Sequence, residues 1–371
     1  MRQRGTLRWL TVSLRVTLVA AQLCARVPGG TGRYTAELLK GLNATRPPDA
    51  DLTAVTTTPC EVDTPVPIRR LPVPYVGLAR LWERGLPPRL GGDVVHAPTL
   101  LVPPTGAKTR LVVTVHDVVP WTHPETLTPR GVTFHRAMAA RAATRADLLV
   151  TPTEAVAVRV RELLDPACPV VAIPPGVSGL AVDGDAASRR QAVGAPSGGY
   201  ALFVGTAEPR KGLDVLLDAL AMTDLAELTL VVAGPRGWGD VDVAQEGARR
   251  GLGARVVVTG RVDDETLAAL YQGASVLVQP SRAEGFGLPL LEAMSLGVPV
   301  VISDDPALRE VGGAAVEVAP VGDPVALAAA VARVVESPDL AERLRENGRL
   351  RAAEFSWATT AERLWLAYRD L

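Results

Sequence analysis

One stretch constrains the fold of this chain more than any other. Residues 274–280, Ala-Ser-Val-Leu-Val-Gln-Pro, form a short apolar run ended by proline, the pattern of a buried strand. Ser281 to Pro299 follows as Ser-Arg-Ala-Glu-Gly-Phe-Gly-Leu-Pro-Leu-Leu-Glu-Ala-Met-Ser-Leu-Gly-Val-Pro. Gly285 and Gly287 permit a tight turn with close backbone approach. Pro289 suits the first turn of a helix, where its missing N–H would have no partner anyway. A helix from Leu290 to Leu296 then stops at Gly297, with Pro299 just beyond. Strand, glycine turn and helix N-terminus together aim backbone N–H groups and the positive dipole end at one point, an anion site.

Two carboxylates bracket that point, Glu284 in the turn and Glu292 in the helix, with seven residues between them. An ionised carboxylate only accepts hydrogen bonds and repels phosphate, so hydroxyl groups are the natural partners of both. Phosphate on the helix end with hydroxyls on either side describes a nucleotide sugar. Either glutamate alone fits an ordinary helix-end or surface residue; the whole run, with its glycines and proline in register, fits far fewer things. Glu284-Gly-Phe-Gly-Leu-Pro-Leu-Leu-Glu292-Ala resembles the E-x7-E signature of retaining glycosyltransferases of family 4, which have the two-domain GT-B fold. The resemblance implies donor contacts from Glu284, Gly285, Phe286, Gly287, Leu288, Pro289, Leu290 and Glu292.

At 371 residues the chain is too long for one ordinary domain and suits two. With 47% hydrophobic and 21% charged residues it is globular, and a net charge of −1 gives no electrostatic footprint for nucleic acid. Cys24, Cys60 and Cys168 are odd in number and widely spaced. They suggest neither a metal site nor a disulfide framework, and point to a reducing, cytoplasmic setting. Only Lys40, Lys108 and Lys211 stand against 36 arginines, so each lysine has resisted the chain's preference for arginine. The four histidines, His96, His116, His123 and His135, show no ligand spacing, and no metal or cofactor is expected.

Residues 1–13 read as a basic extension, with Arg2, Arg4 and Arg8 able to touch an anionic membrane surface peripherally; Arg15 splits the apolar run that follows. The first domain, 14–178, opens with a strand Leu14–Ala20 and a glycine-rich loop, Arg26-Val-Pro-Gly-Gly-Thr-Gly-Arg-Tyr34, leading into a helix through Leu42. The loop is neither a P-loop nor a dinucleotide fingerprint. In the resembling family it closes over the donor diphosphate, which implies contacts from Gly30 and Thr31. Leu52–Thr57 reads as a strand, Thr64–Pro74 as loop, and Val76–Arg84 as a short helix. Strands over residues 93–98 and 110–117 end in polar residues, where ligands sit in open α/β sheets. Val115-His-Asp-Val-Val-Pro120 is similar to the family's sugar-pocket motif, which implies that role for His116 and leaves Asp117 to fix the loop. Residues 130–146 form a basic helix whose face is ordinary solvated surface or a docking face for an acidic acceptor.

Residues 179–198 read as linker. The second domain, 199–355, opens with strand Tyr200–Val204 and Gly205-Thr-Ala-Glu-Pro-Arg-Lys-Gly212. Cations before a helix oppose its dipole, so Arg210 and Lys211 there call for an anionic ligand, a diphosphate. The resemblance extends donor contacts to Gly205 and to Thr206, which stands where relatives carry an arginine. It adds Arg261 and Val262 beside the base. The terminal segment 356–371 is amphipathic, and the family places such a helix back across the first domain. The combined expectation is two Rossmann-like β/α/β domains facing across a cleft. Function would be metal-independent, retaining hexosyl transfer, GDP-mannose first as donor, with Glu284, His116, Arg210 and Lys211 as catalytic groups. The acceptor is not legible. The alternatives are a catalytically idle binding subunit and a GT-B sugar-nucleotide epimerase.

Overall fold

The computed structural model describes residues 13–25, 29–222, 225, 227–237 and 242–371. The basic extension over residues 1–12 and Arg26–Pro28 of the first glycine loop lie outside them. Among the described residues, thirteen strands form two all-parallel sheets. The first contains β1 (Leu14–Val19), β2 (Ala50–Thr57), β3 (Ile68–Leu71), β4 (Val94–Ala97), β5 (Arg110–Thr114), β6 (Leu148–Thr151) and β7 (Val170–Ala172), in the order 3-2-1-4-5-6-7. The second contains β8 (Tyr200–Val204), β9 (Leu230–Ala233), β10 (Val256–Gly260), β11 (Ala274–Gln279), β12 (Val300–Ser303) and β13 (Glu317–Ala319), in the order 10-9-8-11-12-13. Helices cover both faces of each sheet, which is why central strands such as Leu230-Val-Val-Ala233 are buried at every position and carry no polar alternation. The two-domain GT-B architecture is therefore as the sequence implies.

In each sheet the strand order reverses once, between β1 and β4 and between β8 and β11. The connections leave on opposite faces there and open a crevice at the carboxyl ends of the strands. The crevices of the two domains face each other. The C-terminal helix Trp357–Arg369 crosses back as expected and packs on the helix Gly29–Ala44 of the first domain. Gly41 makes that approach possible, because a Cβ there would lie 2.9 Å from the Trp357 carbonyl oxygen. Trp365 donates through Nε1 to the Leu42 carbonyl at 3.1 Å. The Tyr368 hydroxyl lies 2.6 Å from Nδ1 of His96, a fully buried ring that burial holds neutral, with its pKa down at about 3.

Three local expectations are corrected. The proline-rich stretch taken as loop contains β3, because a four-residue edge strand shows too few residues for a pattern while its partner β2 supplies the ladder. The 179–198 stretch taken as linker contains the helix Ala186–Ala192. Its Asp185 side chain caps it, Arg189 pairs with Glu265, and Arg190 donates to the Ala269 carbonyl at 3.3 Å, so it is docked on the second domain. Cys24 and Cys60 form a disulfide across 36 residues. The short turn after β1 and the loop after β2 meet at one sheet end, a proximity that spacing along the chain does not show.

Candidate active site

The sequence-selected residues converge on the cleft. A cavity of about 680 Å³ between the domains is lined from one side by Gly29–Tyr34 and by His116 and Asp117. From the other side it is lined by Gly205, Thr206, Arg210, Lys211, Arg261, Val262, Glu284–Pro289 and Glu292. Leu290 is the exception among the expected residues: its side chain is fully buried in the second domain's core. Phe286 touches the cavity but sends its ring into the core, edge-on to Phe355 at 5.7 Å. Gly30 lies within the first helical turn of Gly29–Ala44, not in a free loop, and faces Leu288 across the cleft.

The organising turn takes the expected course. Gly287 sits in the left-handed region at φ +92° and caps the helix Leu288–Ser295, whose N-terminal turn meets the cavity. The loop after β8 reaches the same point through Gly212, at φ +68°, whose Cβ position lies 2.1 Å from the Pro280 carbonyl oxygen. Only glycine fits there, on conformation and on space. The docking brings Arg210 and Lys211 onto Glu284.

Glu284 is saturated with donors. Its Oε1 accepts from Lys211 Nζ at 2.5 Å, Ser281 Oγ at 2.8 Å and Gln279 Nε2 at 3.1 Å. Its Oε2 accepts from Arg210 Nη1 at 2.9 Å, while Arg210 Nη2 donates to Glu208 at 2.7 Å. Burial pushes the Glu284 carboxyl up, but the charges of Lys211 and Arg210 and the hydrogen bonds overcome it and hold the group at about 2. The two cations, pictured from sequence as facing phosphate alone, are thus locked in geometry by a permanent anion.

Glu292 is also paired. Tyr271 donates to its Oε2 at 2.9 Å from within the second domain, and Arg33 of the first domain donates to Oε1 at 2.9 Å. Arg33 also pairs with Asp264. Burial dominates at Glu292 and raises its pKa despite Arg33 and Tyr271. His116 is half-buried at the cavity wall, loss of solvation lowers its pKa, and its Nε2 lies 2.7 Å from the Pro98 carbonyl oxygen. A carbonyl can only accept, so Nε2 carries the proton and Nδ1 is the ring's acceptor. Asp117 accepts from Val119 N at 3.1 Å, fixing the loop after His116.

Arg33, Tyr271, Gln279 and Asp305 are site residues that the sequence reading missed. Arg33 stood inside the quoted glycine loop, and its charge beside that loop was the available signal. Asp305 accepts from Ala307 N and Leu308 N at 3.0 and 3.1 Å and from Glu284 N at 3.3 Å. Burial, with Glu284 nearby, raises its carboxyl to about 6. A carboxyl raised on folding contributes stability that is full below its unfolded pKa near 4 and lost as pH rises through 6. The shift is worth about 3 kcal/mol at most. Melting of the wild type should therefore fall between pH 4.5 and 7 relative to Asp305→Asn, which keeps an N-cap but has no titration; parallel curves would show that Asp305 titrates normally.

The model for glycosyl transferases group 1 matches residues 186–351, and that for Glycosyltransferase Family 4 matches residues 28–178, so the two together take in both domains and the cleft. The chain belongs to glycosyltransferase family 4. It is 40% identical over 179 residues to the O-antigen chain mannosyltransferase B of Escherichia coli, covering 47% of this chain and 46% of that protein. It is 37% identical over 208 residues to the phosphatidyl-myo-inositol mannosyltransferase of Mycobacterium leprae, covering 54% of each. The chain thus spans about half the length of the curated relatives it matches. The sucrose-phosphate synthase of Thermosynechococcus elongatus superposes with a TM-score of 0.76 over 96% of this chain and 98% of that one, at 22% identity. Anabaena HepE, solved with UDP-glucose, gives 0.72 over 96% and 100%, at 18% identity. Both likenesses show the shared GT-B fold. No helix of the described residues is long and apolar enough to cross a membrane.

Proposed function

We propose that this family 4 member transfers a hexosyl group, mannose first, from a nucleoside diphosphate sugar to an acceptor, with retention of configuration and without a metal. The observation that carries the reading is the Arg210–Lys211–Glu284 cluster, placed opposite His116 and beside the N-terminus of Leu288–Ser295. The donor diphosphate lies between the cations and the helix end, both preorganised before it arrives. Lys211 keeps two of its three N–H donors for phosphate while the third holds Glu284.

The bond from the sugar's anomeric carbon to the diphosphate breaks as the acceptor oxygen bonds to that carbon from the same face. The acceptor's proton passes to the departing phosphate oxygen. His116 Nδ1, an acceptor, holds a sugar hydroxyl, and Glu292 takes the ribose hydroxyls. The names of the matched relatives favour mannose, and Glu208-Pro-Arg-Lys211 and His116-Asp117, which resemble the variants of bacterial mannosyltransferases that use GDP-mannose, favour guanosine as the nucleoside. The fixed cations, the helix dipole and the backbone N–H groups take the leaving-group charge that a metal would otherwise neutralise.

The test is a melting and titration panel of GDP-, UDP-, ADP- and dTDP-sugars against the wild type and Glu292→Ala. GDP-mannose should stabilise the protein most, and the variant should bind it more weakly by about 1–3 kcal/mol, the worth of a hydrogen bond to a charged group. Equal affinity would remove the ribose role from Glu292, and a wild type that binds no nucleotide sugar would overturn the reading as a whole.

A further inference from the structure

Arg33 and the donor stand in an unusual relation. Arg33 projects from the first turns of the helix Gly29–Ala44 in one domain and ends on two carboxylates of the other. One is Asp264, at the start of the helix that follows Arg261 and Val262. The other is Glu292, whose side chain is only 4% exposed with Arg33 in place. Its Oε2 is held from within the second domain by Tyr271, itself fully buried. Its Oε1, on the cleft side, is covered by the Arg33 guanidinium. A ribose diol that donates to Glu292 therefore needs the oxygen that Arg33 holds.

We propose that Arg33 is an interdomain strap over the nucleoside end of the cleft, and that it competes with the donor's ribose for Glu292. The inference rests on the reading of Glu292 as the ribose acceptor. A contact that must open before a ligand enters lowers the apparent affinity by the fraction of molecules in which it is open. Arg33 is one-quarter exposed and Asp264 largely exposed, so solvent and salt weaken the strap and donors open it without a large barrier. Arg33 thereby sets both the affinity for nucleotide and the ease of domain separation. It would speed product release, since the strap re-forms as the nucleoside diphosphate leaves.

The competition has a sign that a binding contact lacks. Arg33→Met removes the strap while keeping an apolar stem, and should tighten GDP and UDP binding by about two- to tenfold in isothermal titration. Arg33→Lys, which keeps a cation, should stay close to the wild type. In a Glu292→Gln background, Arg33→Met should give no gain, because the contested anion is already gone. The difference between wild type and Arg33→Met should shrink as salt rises. Unchanged melting of the variants shows that folding is intact. Weaker nucleotide binding by Arg33→Met would make Arg33 a donor ligand and overturn the strap, as would equal binding. If neither wild type nor Arg33→Met bound either nucleotide, the nucleotide-sugar reading itself would fall, a result distinct from either of these.

Discussion

Lys211→Ala should lower turnover by on the order of 10²–10³, the cost of losing one preorganised donor to a developing anion. The structure gives this expectation a sharper cause than a cation in a loop. Lys211 Nζ is tied to Glu284 Oε1 at 2.5 Å, and Glu284 in turn is held by Ser281, Gln279 and Arg210. The ammonium is therefore placed before any donor arrives and needs no reorganisation as charge builds on the leaving diphosphate. Lys211→Arg should recover only part of the loss. A planar guanidinium requires more room than the 14% exposed lysine has, and it would meet Glu284 as a fork, not a point. Because Glu284 is held at about 2, it stays ionised throughout the ordinary pH range, so its pairing with Lys211 should not shape the pH–rate profile above pH 4. Steady-state rates at saturating donor, with and without EDTA, provide the measurement. A Lys211→Ala enzyme with near-normal turnover, or a wild type abolished by EDTA and restored by Mg²⁺ or Mn²⁺, would remove the role given to this lysine.

The second large effect is expected at Gly285, through geometry and not charge. A Cβ on Gly285 would lie 1.8 Å from the His116 carbonyl oxygen, far inside the 3.4 Å at which ordinary contact begins. That oxygen belongs to the opposite domain. Neither partner can yield cheaply, because both are backbone, and Thr153 pins the turn further by donating from Oγ1 to the Gly285 carbonyl at 3.0 Å. Glu310 reinforces the same closure by accepting from Glu154 N and Ala155 N, both at 2.8 Å, at the start of a first-domain helix. Gly285→Ala must therefore push Glu284 and His116 apart. A displacement of about 1 Å at a reacting centre costs about 10²-fold, and a loss of at least that size in kcat is expected. Both residues lie in loops outside every helix and strand, so far-ultraviolet circular dichroism should be unchanged. An alanine variant with wild-type kcat would show that the domains do not meet at this turn during the reaction.

Much of this was legible in the residues alone. The strand–glycine–helix run from Ala274 to Gly297 appears where its pattern placed it, because apolar strand, positive-φ glycine and helix-start proline are local demands that each residue type meets by itself. The same holds for the Gly205–Gly212 loop and for the parallel alternation that dictated two sheets. Elements too short to show a period, such as β3 and the helix Ala186–Ala192, were not legible; their stability comes from neighbours distant in the chain. Nor was the Cys24–Cys60 bond, since contact between two loop ends is a property of the sheet and not of spacing.

The site divides in the same way. Sequence chose Glu284, Glu292, Arg210 and Lys211, because the chemistry of anions and hydroxyls restricts the residue types that can surround them, while His116 entered only through its resemblance to the family's sugar-pocket motif. Which charge meets which was decided only by the tertiary structure. Arg33 and Glu292 lie 259 residues apart, and Lys211 and Glu284 lie 73 apart. Each pair forms because the carboxyl ends of parallel strands bring their loops to one edge, and two such edges face across the cleft. Side-chain chemistry is local and can be read residue by residue, whereas a partner is fixed by the path of the whole backbone.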